Sequence, residues 1–255
     1  MVANVLCIKW GTKYGSEYVN RLYHGVEKNL SQPFRFICLT EVPDGIDRRV
    51  DVQPLPETPF DEAAFDAKKG GETWRKVGLF KPGLADLDGD TLFLDLDLVL
   101  TGSLDDFFTY EPGRFCVIQD WLEKRRSWMP GRDGRVGNTS VFRFNPQQHV
   151  RVYDHFVDHQ SEVLENFRIE QQYVSDALSD DLAFWPERWV RSFKRHCRPI
   201  FPMNMIQAPQ EPSEMRILAF HGYPLPQQAI DGYSASVFKS TKPAKWLAHY
   251  WNDAA

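Results

Sequence analysis

The first forty residues carry the pattern that most constrains the fold. Two short β-rich runs, NVLCIKW at residues 4–10 and FRFICLT at residues 34–40, enclose a segment in which apolar side chains recur at every fourth position: Tyr18, Leu22, Val26 and Leu30. A periodic helix between two apolar strands is typical of a right-handed βαβ crossover, which joins parallel strands. Ligands of open α/β sheets bind beyond the carboxyl ends of the strands. We therefore expect the turn GTKYGSE at residues 11–17 to border a binding site.

Composition and charge narrow the class of protein. The chain has 255 residues, 42% of them hydrophobic, which is enough to bury one sizeable core, and no repeat or Gly/Ser linker marks a second domain. A formal net charge of -5, with acidic and basic residues interleaved, gives no broad positive field for nucleic acid. An anionic ligand would need a local cation or aimed backbone amides, so a metal ion is favoured.

The cysteines and the apolar runs give two further expectations. The four cysteines have no C-x-x-C spacing, so we expect buried, reduced thiols rather than zinc or redox chemistry. The first apolar run is too short for a signal segment, and no later run approaches the ~20 residues of a membrane span. We therefore expect a cytoplasmic location and no membrane span.

The stretch LFLDLDLVLTGSLDDFF at residues 92–108 carries the first candidate chemistry. The apolar run that begins at Leu92 is typical of a central strand, and the period of two along a strand puts Asp95 and Asp97 on the same side. Apolar residues also follow the pair, so we expect the strand to remain in the sheet there. Two converging carboxylates at the end of a buried strand repel each other unless a cation compensates them. The pattern predicts a metal site.

The aspartate pair has two other interpretations. The aspartates could begin a solvent-exposed turn, as those of LADLDGD at residues 84–90 are expected to do. Asp95 could instead be the phosphoryl nucleophile of a haloacid-dehalogenase-like phosphatase, with Asp180 and Asp181 as its later acidic pair. The motif of those phosphatases normally lies on the first strand, whereas at least two strands precede Asp95 here. The chain lacks the phosphate loop, the dinucleotide fingerprint, the H-E-x-x-H motif and the G-x-S-x-G elbow.

The order of six segments resembles the GT-A glycosyltransferases, and in particular glycosyltransferase family 8 and its bacterial relatives. The segments are CIKWGTKYG, TWRKVGLFKPGL, LFLDLDLVLTGSLDDFF, GNTSVFRFNP, EQQYVSDAL and LAFHGYPLP. The resemblance implies an α/β fold of the GT-A type, with a mainly parallel central sheet flanked by helices. It also implies one domain over residues 1–255, with a nucleotide-binding half at about 1–110 and an acceptor and sugar half at about 111–255.

The same resemblance implies roles for individual residues near the donor. Lys9, Trp10 and Tyr14 would receive the nucleotide base, with the Tyr14 ring stacked on uracil. Lys76 would lie near the sugar and the diphosphate, and Asn138 would hydrogen-bond the donor sugar.

Two further segments complete the implied site. Glu170 and Gln171 stand where the family has Asp-Gln, which would place Gln171 by the anomeric carbon. His221 matches the metal-binding histidine of the family, and Gly222 follows it in the donor-binding loop. The family pattern H-x-x-G-x-x-K-P-W lacks its lysine and tryptophan here, and Lys242-Pro243 followed by Trp246 offers a substitute.

These residues together imply a hexosyltransferase-like enzyme that moves a sugar from a nucleotide-diphosphate donor, a UDP-sugar, to a hydroxyl acceptor with retention. Asp95, Asp97 and His221 would hold Mn²⁺, with Mg²⁺ as the second choice. The acceptor would be a saccharide, a lipid-linked sugar or another hydroxyl compound. If the reaction inverts, Asp120 or Glu170 would be the base. A nucleotide-sugar-binding protein without transfer activity is the alternative.

The C-terminal residues 237–255 interleave lysine with Trp246, Tyr250 and Trp251. One interpretation is a peripheral contact with a membrane. The other is an aromatic helix that packs on the domain.

Overall fold

A computed structural model describes residues 2–57, 71–129 and 133–252 of the chain. Its strands are β1 (Ala3–Lys9), β2 (Phe34–Thr40), β3 (Asp51–Gln53), β4 (Thr91–Leu94), β5 (Leu98–Leu100), β6 (Phe115–Gln119), β7 (Gly137–Phe144), β8 (Leu182–Phe184), β9 (Val190–Ser192) and β10 (Ile217–Ala219). Its α-helices are α1 (Ser16–Asn29), α2 (Trp121–Arg126), α3 (Arg151–Asp158), α4 (Gln160–Asn166), α5 (Glu170–Ala177), α6 (Pro226–Asp231) and α7 (Leu247–Asn252).

The described strands form two sheets. The larger sheet has the order β3-β2-β1-β4-β7-β6-β8, and the smaller one has the order β5-β10-β9. Within the larger sheet β1 pairs in parallel with β2 and β4, β2 with β3, and β6 with β8, whereas β7 is antiparallel to β4 and β6. The prediction of a mainly parallel α/β sheet flanked by helices is confirmed.

The N-terminal βαβ unit forms as the periodicity predicts. Strand β1 is buried along its whole length and pairs with β2 in register from Ala3↔Phe34 to Lys9↔Thr40. Helix α1 turns Val19, Leu22 and Val26 toward the core, because residues spaced by three or four lie on one helix face. The loop after β1 therefore opens at the carboxyl edge of the sheet.

The strand expected to continue through residues 92–100 is broken, which corrects the sequence prediction. Strand β4 ends at Leu94 in the larger sheet, and β5 pairs with β10 in the smaller sheet. Asp95 and Asp97 lie in the connection between them. The Asp95 N–H still donates to the Ser140 carbonyl at 2.9 Å, and the Asp97 carbonyl accepts from the Phe220 N–H at 3.3 Å. Both aspartates are therefore held at the junction of the two sheets.

Other elements differ in extent from the expectation. The apolar pattern at residues 148–167 predicts a helix, and the structure has two, α3 and α4, because the backbone leaves the helical region at His159 (φ -128°, ψ 30°). The sequence RRSWMPGRDGRVG at residues 125–137 predicts a loop, but its first two residues belong to α2, whose N-terminus is capped by Asp120. The sequence KKGGETWRKVGLFKPGL at residues 68–84 predicts a loop that leads into a short helix; a 3₁₀ segment forms at Gly71–Phe80, and residues 68–70 lie outside the described residues. The four cysteines are free and buried, as predicted.

Aromatic rings fill one face of the larger sheet. The Phe93 and Phe142 rings stack with centroids 4.8 Å apart, and Phe80 lies 5.9 Å from Phe142 and 5.1 Å from Phe144. Each of these rings is buried. Such offset contacts add to the stabilisation from area burial. The sheet that carries the cleft is therefore backed by a rigid aromatic layer.

The C-terminal aromatic helix α7 packs on the domain. Trp251 is 3% exposed and Leu247 is 0% exposed. The Trp246 indole N–H donates to the Pro209 carbonyl at 3.1 Å. These contacts favour packing over membrane contact for the residues of this helix. Among the described residues no helix is long and apolar enough to cross a bilayer, and the cytoplasmic location and the division into two halves stay predictions.

We predict that Phe142→Ala destabilises the fold by about 3–5 kcal/mol, because it removes a ring contacted by several others and leaves a cavity. Urea unfolding followed by circular dichroism measures this change. The matched control Val157→Ala alters a side chain that is 44% exposed and should shift the free energy of unfolding by less than about 0.5 kcal/mol. Equal effects of the two substitutions would contradict the central place given to Phe142.

Candidate active site

A cleft of about 480 Å³ opens at the carboxyl ends of β1 and β4. It is lined by the first βα turn, the 3₁₀ segment and the connection between the sheets: Ile8, Trp10, Gly11, Thr12, Lys13, Tyr14, Thr73, Lys76, Asp95, Leu96 and Asp97. The cleft thus brings together five of the predicted site residues, Trp10, Tyr14, Lys76, Asp95 and Asp97. The predicted donor residue Lys9 is only 4% exposed and does not line it.

Lys76 compensates the charge of Asp95. Its ammonium Nζ lies 2.8 Å from Asp95 Oδ1 and 2.9 Å from Oδ2, and it also donates to the Thr139 carbonyl at 2.9 Å. The lysine is 7% exposed, so three acceptors surround a nearly buried cation. The ion pair is costly to break from the side of Asp95, because its loss would leave the Lys76 ammonium nearly buried without a counter-charge. Lys76 is therefore a fixed part of the cleft wall.

Asp97 has weaker compensation than Asp95. It is 8% exposed, and its Oδ2 accepts a hydrogen bond from the Tyr14 hydroxyl at 2.8 Å. Burial, followed by the charge of Asp95, raises the pKa of Asp97 to about 6, against the lowering effect of Tyr14, Lys13 and Lys76. Burial and the Asp97 carboxylate also raise the pKa of Tyr14, which keeps its hydroxyl proton. The carboxylate is thus poorly solvated, and the hydrogen bond that it accepts among the described residues comes from a neutral donor.

The carboxylate pair fits a divalent cation in its chemistry and its number of ligands. Within the described ranges no group of three His, Cys, Asp or Glu side chains could hold a metal. Mg²⁺ and similar hard cations are commonly held by one or two carboxylates together with substrate phosphates. A cation would also favour the ionised form of Asp97, whose pKa burial has raised. Asp95 and Asp97 therefore suit a metal site that the substrate completes.

His221 lies in different surroundings from those of the carboxylates. Its Nε2 hydrogen-bonds with the Ser192 hydroxyl at 2.8 Å, and its ring packs against Trp121 at 4.8 Å. Burial, followed by the charges of Lys194 and Arg195, lowers the pKa of His221 to about 4, so the imidazole is neutral. Its role as a metal ligand stays a prediction. Gly222, predicted to contact the donor, is exposed with φ 63°.

Glu170 lies beneath the cleft. It is 2% exposed and accepts a short hydrogen bond from the Thr139 hydroxyl. Burial raises the pKa of Glu170, while Lys76, Thr139 and Thr73 lower it. Thr139 therefore links this carboxyl to Lys76, since its backbone carbonyl accepts from the lysine and its hydroxyl donates to Glu170.

Gln171 lies at the start of α5 beside Asp120. Its Nε2 donates to Asp120 Oδ2 at 3.2 Å, while Asp120 Oδ1 accepts from the backbone N–H groups of Leu122 and Glu123 at 2.9 Å each. Asn138, opposite Ile118 in the β6–β7 ladder, accepts from the Ser140 N–H at 3.2 Å. The Gln171 amide and the Asp120 carboxylate therefore lie together where the start of α5 meets the start of α2.

Sequence reasoning missed several partners of the site. Thr139, Ser192, Lys194 and Trp121 received no role, although each contacts a predicted site residue. Thr139 directly follows the predicted Asn138 in β7, but adjacent strand residues point to opposite faces, so the role of Asn138 does not predict a contact by Thr139. No local signal indicates Ser192. The proposed substitute Lys242 lines a different groove, together with Asn204.

Comparisons with known proteins give a fold but no sequence family. The chain matches no family model and no curated protein sequence. It is similar in structure to the galactosyltransferase LgtC in complex with donor and acceptor sugar analogues, with a TM-score of 0.61 and 14% identity over 98% of this chain and 95% of that one. It is also similar to the glycosyltransferase GlyE of Streptococcus pneumoniae TIGR4, with a TM-score of 0.59 and 14% identity over 99% of this chain and 62% of that one.

A third similar structure is mouse xyloside xylosyltransferase 1, with a TM-score of 0.54 and 11% identity over 88% of this chain and 98% of that one. Structural similarity at such low identity establishes the fold alone, and the chemistry has to be inferred from the residues of the site. The chain has the GT-A fold that the sequence resemblance predicted.

We predict that Asp97→Asn changes the pH dependence of stability in metal-free buffer. The folded pKa of about 6 exceeds the ordinary value of 3.8, so the folded protein holds this proton more tightly than the unfolded chain does. The associated stability is present below about pH 4 and is lost as the pH rises through about 6. Asp97→Asn has no such proton to lose. The difference in unfolding free energy between variant and wild type should therefore be about 1–3 kcal/mol more in favour of the variant at neutral pH than at acid pH.

Urea unfolding with a chelator present, repeated across this pH range, measures the difference between variant and wild type. Asp88→Asn is the matched control, because Asp88 is exposed and lies outside the cleft. A difference for Asp97→Asn that is independent of pH, like that of the control, would show that Asp97 is not titrating in a buried environment.

Proposed function

We propose that this chain is a metal-dependent glycosyltransferase that moves a sugar from a nucleoside-diphosphate donor, a UDP-sugar, to an acceptor hydroxyl. The observation that carries the proposal is the pair of carboxylates Asp95 and Asp97 at a cleft on the carboxyl edge of a GT-A sheet, where Asp97 is buried and has a raised pKa. A similar structure, LgtC, is a galactosyltransferase that was solved with donor and acceptor sugar analogues.

Asp95 and Asp97 are the proposed holders of the divalent cation, Mn²⁺ in preference to Mg²⁺. When bound, such a cation supplies Lewis-acid stabilisation of the negative charge that develops on the leaving diphosphate. His221 is the proposed third ligand, and it would have to approach the carboxylates, because among the described residues no three such side chains are already grouped to hold a metal. Its Nε2 now faces Ser192, so ligation by this nitrogen requires that hydrogen bond to break. The neutral state of the imidazole leaves a lone pair for a metal.

The residues of the first βα turn are the proposed base and ribose site. Trp10 and Tyr14 line the cleft, and the Tyr14 hydroxyl is anchored on Asp97, which fixes the ring relative to the carboxylates. Lys13 lies with its Nζ 4.8 Å from the centre of the Tyr14 ring. Lys76 is the proposed cation near the sugar and the diphosphate, held in place by Asp95 and Thr139.

The second half of the site is proposed to position the sugar and the acceptor. Gln171 and Asp120 form a hydrogen-bonded pair, and Asn138 lies on the neighbouring strand. An active-site glutamine-to-glutamate mutant of LgtC is among the similar structures. We assign Gln171 to the face of the anomeric carbon and propose retention. Glu170 is enclosed and bonded to Thr139, so its proposed contribution is to orient the Thr139 and Lys76 network.

The alternatives are less well supported by the geometry. A nucleophilic Asp95 would need a free carboxylate oxygen, whereas Lys76 lies within 2.9 Å of both oxygens. The similar structures named above are glycosyltransferases, which supports sugar transfer over phosphate hydrolysis. A donor-binding protein without transfer activity has the same cleft, and an assay of turnover distinguishes it from the enzyme.

We predict that UDP binds tightly only when Mn²⁺ is present and that Asp97→Asn weakens this binding at least tenfold, because the variant loses one of two charged metal ligands. Isothermal titration calorimetry with and without the metal measures the affinity, and Asp88→Asn is the control, expected to bind as wild type does.

Equal UDP affinity with and without Mn²⁺ would contradict the metal assignment. A parallel assay with a generic phosphomonoester addresses the phosphatase alternative. Phosphate release without UDP binding would overturn the proposed function.

We predict that Gln171→Ala lowers donor turnover by roughly 10²-fold, because Gln171 is assigned to the anomeric carbon of the donor sugar. UDP affinity should stay within about twofold, because Gln171 contacts Asp120 and is not among the residues that line the cleft around Asp95 and Asp97. Release of UDP from a panel of UDP-sugars, with calorimetry of UDP itself, separates the two effects. A parallel loss of UDP affinity would place Gln171 in nucleotide binding instead.

A further inference from the structure

One surface of the molecule combines exposed apolar and basic side chains. Within the described ranges, half of the twelve exposed large apolar side chains fall in two short segments: Ile200, Phe201, Met205, Ile206, Val237 and Phe238. Basic side chains adjoin them at Lys194, Arg195, Arg198 and Lys239. We call these ten residues the basic–apolar patch. Exposed apolar side chains that form one contiguous patch usually mark an interaction site, whereas scattered ones do not.

The two segments of the patch are held together by specific contacts. The Phe201 and Phe238 rings lie with centroids 4.6 Å apart. The Asn204 amide donates to the carbonyls of Val237 at 2.9 Å and Ser240 at 3.0 Å, and Asn204 is itself buried. The apolar side chains are therefore displayed on a surface whose backbone is fixed from beneath.

The charge around the patch is opposite in sign to that of the whole chain. Residues 193–210 and 232–252 contain no aspartate or glutamate, whereas the formal net charge of the chain is -5. The basic residues of these two segments are Lys194, Arg195, Arg198, Lys239, Lys242 and Lys245. Such a group attracts an anionic partner.

We propose that the basic–apolar patch docks on the surface of an anionic lipid bilayer. Apolar side chains at a bilayer surface enter the boundary between headgroups and acyl chains, while cations beside them attract anionic headgroups. Each part alone gives weak binding, and the two together give stable attachment. The complementarity of charge favours an anionic lipid surface over a second copy of this chain, whose patch would carry the same positive charge.

Docking through this patch would bring the bilayer to the edge of the candidate active site. Lys194 donates a short hydrogen bond to the carbonyl of His221, and the neighbouring Phe220 N–H donates to the Asp97 carbonyl at 3.3 Å. The His221 loop therefore connects the patch with the backbone of the carboxylate pair. A hydroxyl acceptor in the plane of the bilayer surface would then approach the cleft from that side. The inference about the patch itself does not depend on the proposed function, because its test measures vesicle binding alone.

Flotation with vesicles of phosphatidylglycerol and phosphatidylcholine tests the proposal. The expected result is binding to these vesicles and little binding to pure phosphatidylcholine. The double variant I200S/I206S should bind at least tenfold more weakly, because it removes the two most exposed apolar side chains of the patch, 84% and 71% exposed. The matched control V42S/V157S removes apolar side chains of 43% and 44% exposure elsewhere and should bind as wild type does.

A second pair of variants tests the contribution of charge. R195Q/K239Q should weaken vesicle binding about tenfold. Its matched control is R48Q/R125Q, which alters exposed arginines outside the patch. Binding should also fall in about 1 M salt, where the Debye length is roughly 3 Å. Unaltered urea unfolding and UDP titration show that each variant is folded.

Three results would overturn the proposal. They are equal binding to neutral and anionic vesicles, wild-type binding by I200S/I206S, and a dimer in sedimentation equilibrium that this variant abolishes. The last result would assign the patch to a contact between copies of the chain.

Discussion

The crowding of two carboxylates at the junction of two sheets is the constraint on which the candidate site depends. The chain leaves the larger sheet at Leu94 and enters the smaller sheet at Leu98, so Asp95 and Asp97 must lie between them. Backbone hydrogen bonds fix both residues there. Charges in such a place are costly unless they are paired. Lys76 pairs with Asp95 and Tyr14 donates to Asp97, and both partners also shape the cleft.

The parts of the fold that the sequence predicted are those set by local periodicity. Strands β1 and β2 follow from their short β-rich apolar runs, and helix α1 follows from apolar side chains at every fourth position, which decide the helix face that is buried. The position of the carboxylate pair at the cleft follows in turn, since it comes directly after a buried strand. The prediction of the GT-A fold depended on the order of six segments, and no single segment would have been enough for it.

The parts that the sequence did not predict depend on partners far along the chain. The run Leu98–Leu100 is as apolar as β4, and only its pairing with β10 reveals that it belongs to another sheet. The network of Lys76, Thr139 and Glu170 joins three segments, and the hydrogen bond of His221 with Ser192 joins two more. Periodicity within one element carries no information about such contacts. The sequence suggested membrane contact for residues 237–255 alone, whereas the basic–apolar patch joins Val237, Phe238 and Lys239 to residues 194–206, which are distant along the chain.

The two carboxylates of the site differ in how completely the protein itself compensates them, and this difference bears on how a donor would bind. Asp95 shares a nearly buried ammonium with Thr139, so its charge is balanced before any ligand arrives. Asp97 has a neutral hydroxyl as its closest donor and a raised pKa. A diphosphate entering the cleft adds negative charge beside Asp97, which would raise that pKa further and draw a proton onto the carboxylate. An added cation reverses both effects. Under the proposed function, diphosphate binding and cation binding would therefore be coupled through Asp97 more than through Asp95, although the two residues look equivalent in the sequence.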